Sequence, residues 1–581
     1  MTIIKINKKL LFINLILVLI FFNKSVLSQT TTAFYQQPTA MNMVSGESVI
    51  LSAKASNNDA TIYYRWYQTT KDNSSTDKLL SKWNEDSDIE IPFFSEIEIR
   101  YYYCQAASDT TDVSTYAVSK KASVAHTGLP TLYINTVNNE EPTAEYIKHP
   151  TEETYGETTK NATKVPAKME IFTDEYIYPV YNSGEYVKKQ SGLTIKIRGN
   201  ISAAYSTKKP FKLKLQKKAD LLSKIVGRDD PDYQDKEWYL LRDGWTINAF
   251  VGLEVSDIVG VEWTPDYAYV DVFVNGNYRG VYILTEAISR CKKRIDISKD
   301  GYIIERDAYW WNEDVKFITD KYDQKYTFKY PDEDEISDEQ IEYISNQMNI
   351  LEKNITGSNY QDYIDQNSFA KWVLTHDILG TWDGAGANIY MYKYDNSDTS
   401  KIFMSTPWDF DSNYMVGADA WSTQHDKKRA YIEMLFQHED FCNYYKQLWE
   451  NISNNLINYL SEFFQNFETN QAKSINLARE YDAARWNISY KTVEYELDSA
   501  MQWFENRTKW LDSHIITKVW AYNKTIYIQY PINTKYEIIN LNGQLIARSE
   551  TKTDIEQIPL SSAGIYLVRI NEKEVFKIPV N

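Results

Sequence analysis

The hydrophobic period of this chain changes twice along its length, and that limits the folds open to it. Residues 29–126 and the strands that follow from about Leu129, such as LTIKI and FKLKL, alternate apolar and polar residues, the period-two pattern of half-buried strands. Residues 336–380 and 428–515 instead repeat their apolar positions at helical spacing beneath long charged faces. From about Thr517 the alternation returns in TIYIQY, KYEII and GIYLVRI. Strands first and helices later define an α+β class, in a two-lobed order for the middle of the chain. A chain of 581 residues is too long for one core. The middle region, 127–515, is therefore expected to be flanked by an N-terminal β-sandwich over 29–126 and a small C-terminal all-β unit over 516–581.

Residues 1–28 read as a signal peptide. Lys5, Lys8 and Lys9 precede the apolar run Leu10–Phe22, and Val26 and Ser28 stand at −3 and −1 of a cut before Gln29. The run is too short for a comfortable membrane span, so a secreted or outer-surface location is expected. In 29–126 the strands SVILSAKAS, TIYYRWYQ, EIEIRYYYCQAAS and STYAVSKKASV are separated by turns. Trp66, and Tyr102 two residues before Cys104, resemble the core of an immunoglobulin-type sandwich. Ala53 falls where the partner cysteine would stand, which excludes the disulfide. Only Cys104, Cys291 and Cys442 occur, too few for a disulfide scaffold.

Charge and motif content remove several function classes. A net charge of −17 opposes a nucleic-acid partner, which would need a basic face. No Cys-x-x-Cys, His-x-x-x-His or Gly-x-Ser-x-Gly pattern exists, which argues against zinc sites and serine hydrolases. The 46 tyrosines and 16 tryptophans are read first as core filling for β-domains and second as sugar-binding surface.

The chemistry concentrates in Gly380–Asn413. Asp383 precedes Asn388 by five residues, and after a predicted hairpin comes the run Trp408–Asp411. An acid to orient a hydroxyl, with an amide and further acids to hold magnesium, is the set that phosphoryl transfer uses. Asp383 is the candidate catalytic acid, Asn388 and Asp409 the metal ligands, and Asp411 either a second-ion ligand or a turn cap. Upstream, Arg198-Gly199-Asn200 with Ser202, Ser206 and Thr207 could cradle phosphate. The strand FKLKL puts Lys212 and Lys214 on one face, beside Lys208 and Lys209. Glu254, on a helix predicted over Asn248–Val259, and Glu286, after YILT, are candidate carboxylates for that lysine set, their roles interchangeable at this level. The hairpin AYVDVFVNGNYRGVYILTEAI turns on Asn275-Gly276.

Taken in order, IRGN…S…KKPFKLKL, VDVFVNGNYRGVYILTE and LGTWDGAGANIYMYKYD…STPWDFD resemble the CotH kinase family, secreted atypical kinases of the spore-coat protein H type, over roughly 130–515. The resemblance implies a divergent kinase-like fold, ATP with Mg2+ (or Mn2+), and phosphorylation of hydroxyls on secreted or surface proteins. It assigns Asp383 as catalytic acid, Asn388 and Asp409 as metal ligands, and the 209–214 lysines, Lys209, Lys212 and Lys214, to a nucleotide-contacting strand. It does not settle which lysine meets phosphate. The usual His-Arg before the catalytic Asp of protein kinases is replaced by Thr381 and Trp382. The C-terminal run YEIINLNGQLIARSE…IEQIPLSSAGIYLVRINEKEVFKIPV is similar to type IX secretion sorting domains, which implies that secretion machinery as a partner. The alternative reading is a non-catalytic surface adhesion protein on a kinase-like scaffold, with a glycan or protein ligand for the N-terminal module.

Overall fold

The computed structural model describes residues 31–44, 46–73, 75–152, 156–242, 246–381, 388–410, 417, 431–515, 519–530, 533–553 and 556–580. The chain is a mixed α+β protein in which strands dominate the first half and helices follow.

The centre is a closed ring of seven strands: β1 (Thr131–Thr136), β2 (Val165–Phe172), β3 (Leu193–Ile197), β4 (Phe211–Ala219), β5 (Asp235–Arg242), β6 (Tyr267–Val274) and β7 (Asn277–Glu286), in the order β1-β6-β7-β5-β4-β3-β2. The ring shuts because β1 pairs antiparallel with β2 on one side and parallel with β6 on the other. Closure leaves no open edge and gives the alternating strands a true inside. Leu193, Ile195, Ile197, Phe211, Leu213, Leu215, Trp238 and Leu240 fill it with residues from the other strands. The lysines of FKLKL therefore point outward, as the alternation requires. The β6–β7 hairpin turns on Asn275 (φ 53°) and Gly276 (φ 72°), the conformation that Asn-Gly supplies most cheaply.

A second sheet joins β8 (Tyr302–Arg306), β9 (Lys316–Ile318), β10 (Lys325–Tyr330), β11 (Ile389–Lys393) and β12 (Ile402–Met404) in the order β9-β10-β8-β11-β12. One face packs on helices. These are α1 (Asn248–Val259), α2 (Asp338–Asn354), α3 (Gln366–Leu379), α4 (Glu439–Phe467), α5 (Lys473–Trp486) and α6 (Val493–Ile515). Ile304, Met391 and Met404 join Trp372, Phe369, Trp449 and Phe504 in the largest core. The helix over Asn248–Val259 forms as expected, closed by Gly260 at φ 78°. Between β1 and β2 lies a small ladder of Glu145–Ile147 against Thr158–Lys160.

Residues 33–126 build a separate core around Trp66, Tyr102 and Cys104. Trp66 and Cys104 are cross-strand partners, and Ala53 is fully buried in the same core. Cys104 is a free thiol, as the missing partner demands. Residues 519–580 form a last small core of seven strands, with Ile526, Ile538 and Val568 at its centre. Among the described residues no helix is long and apolar enough to cross a membrane.

Candidate functional site

The outer face of the ring and the inner face of the second sheet meet at three aromatic side chains. Tyr239 on β5, Tyr390 on β11 and Trp408 share one buried cluster with Ile303. The Tyr239 and Trp408 rings lie 5.9 Å apart, edge to face. This contact sets the 405–410 turn against the cationic side of the ring. Register places Lys196, Lys212, Tyr239, Thr285 and Tyr267 in one row across β3, β4, β5, β7 and β6.

Asn388 enters β11 and Asp409 follows Trp408, and the Asn388 amide donates to Asp409 Oδ2 at 2.9 Å. Both residues have left-handed backbones, φ 59° and 66°. Two non-glycine residues held there and bonded to one another mark a built turn rather than an accidental one. Phe410 lies against α1, where Gly252 leaves no room for even a Cβ. The far end of the same loop starts at α3. There the Asp377 carboxylate accepts from Tyr445 at 2.5 Å, and its backbone carbonyl accepts from Arg507 at 2.5 and 2.9 Å. Gly380 (φ 65°) closes α3, and the His376 ring meets the Thr381 hydroxyl at 2.6 Å. Burial pushes His376 down to about 3, so the ring is neutral. Asp383 and Asp411 lie outside the described residues.

The upstream residues fall into three groups. Arg198 lies 4.3 Å over the Tyr239 ring and so faces the aromatic contact. Asn200 instead accepts from Thr158 at 2.5 Å, tying the turn to the neighbouring ladder. Gly199 at φ 96° permits the turn, since a Cβ would press on Ser202 Oγ at 2.8 Å.

The lysines have partners within the chain. Lys209 donates to the Ala203 carbonyl at 2.6 Å and sits 4.8 Å from the Tyr146 ring. Lys212 and Lys214 share Glu237, at 2.6 and 3.2 Å, and Lys214 also reaches Asp332 at 3.2 Å. Burial raises the Glu237 carboxyl, but the two ammoniums outweigh it and hold it down at about 2. Lys208 is fully buried against Asp482 of α5 at 2.5 Å.

Among the described residues neither candidate carboxylate holds a lysine. Glu254 accepts from Tyr267 at 3.2 Å, and burial pushes it up to about 7. Tyr267 stands three strands from Lys212 in the row, about 14 Å away at ordinary strand spacing. Glu286 follows the inward register of its partner Trp238, at the mouth of the ring, accepting from Arg228 at 2.9 Å and Trp263 at 3.3 Å. The carboxylate that pairs with the lysine strand is Glu237, one strand over. Nothing in the sequence distinguished it from other acids, because the pairing depends on register. Lys196 was also missed, although alternation in LTIKIRGN sets it on the face of Arg198.

The second sheet adds charge opposite this face. Lys329 and Glu305 pair at 2.6 Å. Asp307 is raised to about 7, first by burial and then by Glu305. Among the described residues no three His, Cys, Asp or Glu side chains converge as a metal site. One carboxylate and one amide at Asp409 and Asn388 are hard oxygen donors and suit part of a magnesium shell.

The cationic face of β3 and β4 and the Asn388–Asp409 turn thus lie on either side of the Tyr239–Trp408 contact. The CotH kinase protein family matches residues 195–511, more than half of the chain, and the chain belongs to that family. No curated protein matches. The solved "Twitchin kinase region from C.elegans (Fn31-NL-kin-CRD-Ig26)" is similar at TM-score 0.19 and 9% identity, over 94% of this chain and 100% of that chain; a likeness that low carries no argument.

Proposed function

We propose that this chain is an exported, two-lobed atypical protein kinase that transfers the γ-phosphate of ATP to hydroxyls of secreted or surface proteins. The observation that carries the reading is the Tyr239–Trp408 contact, which sets the Asn388–Asp409 turn against the strand face bearing Arg198 and Lys212. Polyphosphate chemistry needs cations on one side and oxygen ligands for a divalent ion on the other.

In this reading Asp409 and Asn388 hold Mg2+ or Mn2+, which when bound neutralises phosphate charge and orients its oxygens. Arg198 contributes fixed positive charge, its guanidinium steered by the Tyr239 ring. Asp383, by its place in the family motif, accepts or orients the proton of the acceptor hydroxyl. Tyr390 and Trp408, both under a tenth exposed, keep bulk water from the base of the site. Residues 1–28 act as signal peptide, 29–126 as an immunoglobulin-like module and 516–581 as a type IX sorting tail, so the acceptor is met outside the cell.

The test is transfer of label from ATP by the full chain with Mg2+ or Mn2+, beside Asp383→Asn and Asp409→Asn. Both variants are expected to lose at least about a hundredfold in rate. Transfer that persists unchanged in both removes the assigned roles. A chain that binds no nucleotide at millimolar ATP is the outcome expected of a non-catalytic surface protein.

A further inference from the structure

We infer that His126 is a proton-gated latch: charged, it pairs with Asp174 and holds the N-terminal unit on the ring, and when it gives its proton to solvent the seam loosens. The latch does not depend on the kinase reading above.

His126 ends the strand Ala122–His126 of the N-terminal unit, and Asp174 lies in the turn after β2 of the ring. The His126 ring is buried, and both of its nitrogens face acceptors. Nδ1 meets the Glu96 carbonyl at 3.2 Å, and Nε2 meets the two Asp174 oxygens at 3.1 and 3.0 Å. A carbonyl can only accept, so Nδ1 carries a hydrogen. A neutral ring would then turn a bare Nε2 toward a carboxylate, with no proton between two acceptors. Only the imidazolium satisfies both contacts. Phe93 and Phe94 flank the ring edge-on at 5.2 and 6.4 Å and shield it from water. The same segment of the ring domain reaches the N-terminal unit again at Ile177, which a Cβ on Gly46 would meet at 3.1 Å. The pair thus crosses the seam that Asn42 also crosses, its amide donating to Asp271 of β6 at 3.1 Å.

The charged neighbours of His126 are Asp174 from the ring and Glu96, Glu98 and Arg100 from its own unit. Glu98 is its cross-strand partner, and Arg100 binds both glutamates. Burial is the largest influence on the ring and opposes its charge. Asp174 and the Glu96 and Ser95 carbonyls outweigh it, so docked His126 keeps its proton above the ordinary 6.5. In an undocked unit water replaces Asp174, and the ring returns to that ordinary value. Between the two values the docked state holds more protons. The pair's contribution is therefore full below 6.5 and is lost as pH rises through the raised value. Asp271 titrates in the same seam, facing Asp482, which Lys208 holds. Burial raises Asp271 only to about 6, so its share is spent at lower pH.

The test follows the full chain from about pH 6 to about pH 9, a range that brackets histidine titration. Nitrogen NMR of labelled histidine reads both ring nitrogens of each of the six histidines. The His126 signal is assigned by its loss in His126→Gln or, should that variant not fold, by its shift in Asp174→Asn. Hydrogen exchange over residues 126–131, where Thr127, Leu129 and Thr131 are buried, reads the seam relative to the intrinsic rate at each pH. In the parent, His126 is expected to be doubly protonated at about pH 7, and protection to fall about tenfold or more across the range, the size of one charge-assisted bond. Asp174 is partly exposed, so Asp174→Asn keeps the fold, and its amide can donate to a neutral Nε2. There His126 should titrate lower than in the parent, and protection should stay flat. A His126 that titrates at or below its ordinary value in the parent overturns the latch. So does parent protection that ignores pH, or that falls equally in Asp174→Asn.

Discussion

At the scale of single residues, the buried charges define the sharpest expectations. Lys208 and Asp482 are both fully buried and 2.5 Å apart, and Lys208 also donates to the Val281 carbonyl. Removing one partner strands the other in a dry site. Asp482→Asn or Lys208→Met is expected to cost about 3–5 kcal/mol in denaturant unfolding, whereas breaking the exposed Lys71–Glu480 pair should cost no more than about 1 kcal/mol. Equal effects from the two pairs would refute the burial argument. Glu254 gives a pH-dependent test. Folded Glu254 keeps its proton to about 7, while the unfolded chain loses it near 4.5. Between those values the folded state binds more protons, so stability falls as pH rises through that window. Glu254→Gln removes the fall. It should match the parent at low pH and exceed it by an amount of the order of 2–3 kcal/mol at about pH 8. Parent and variant curves that stay parallel from pH 4 to pH 8, roughly the window set by these values, would count against it.

At the scale of elements, the contact between α1 and the Asp409 turn links packing to the site. At Gly252 the Phe410 ring occupies the space a side chain on α1 would need. Alanine is a better helix former than glycine by roughly 1 kcal/mol, so Gly252→Ala should not harm α1 itself. Its methyl must displace Phe410, and with it Asp409. The expected result is a net melting loss from overpacking of about 1–3 kcal/mol, with a larger loss of metal-dependent nucleotide binding. Unchanged binding would show that the turn is not held by α1. The elements also show what pattern can convey. The Asn248–Val259 helix, the Asn275-Gly276 hairpin and the outward lysines of β4 were all readable, because each is set by neighbours within a few residues. The pairing of Glu237 with Lys212 was not, because it follows from which strand lies alongside β4. The lysine set likewise split, with Lys208 drawn to a residue 274 positions away. For the catalytic loop, Asn388 and Asp409 do meet, while Asp383 and Asp411 lie outside the described residues.

At the scale of the whole molecule, ring closure and the seating of the N-terminal unit were both illegible in the sequence, since each joins segments far apart in the chain. Closure needs β1 to lie parallel to β6, some 140 residues on, and alternation does not name a partner. The seat is a buried polar knot at Asp271 of β6. Its carboxylate accepts from Thr127 at 2.6 Å, Tyr278 at 2.8 Å and Asn42 at 3.1 Å, the last from the N-terminal unit. Around it Ala125, Phe273, Tyr278 and Tyr481 form a shared apolar cluster, with Tyr278 and Tyr481 stacked at 4.1 Å and Tyr481 donating to the Met41 carbonyl. The N-terminal unit therefore covers apolar surface that the ring and α5 would otherwise expose. A chain starting at residue 127 should lose this cover and leave Phe273, Tyr278 and Tyr481 facing water. Compared with a chain starting at residue 29, it is expected to melt lower by roughly 5 °C or more and to self-associate in size-exclusion chromatography. Asp271→Ala in the longer chain probes the same seat without truncation. It strands the Asn42 amide and the Thr127 and Tyr278 hydroxyls, and should cost about 2–4 kcal/mol. If the shorter chain is monomeric and melts with the longer one, the N-terminal unit is a tethered module and the Asp271 knot does not hold it to the ring.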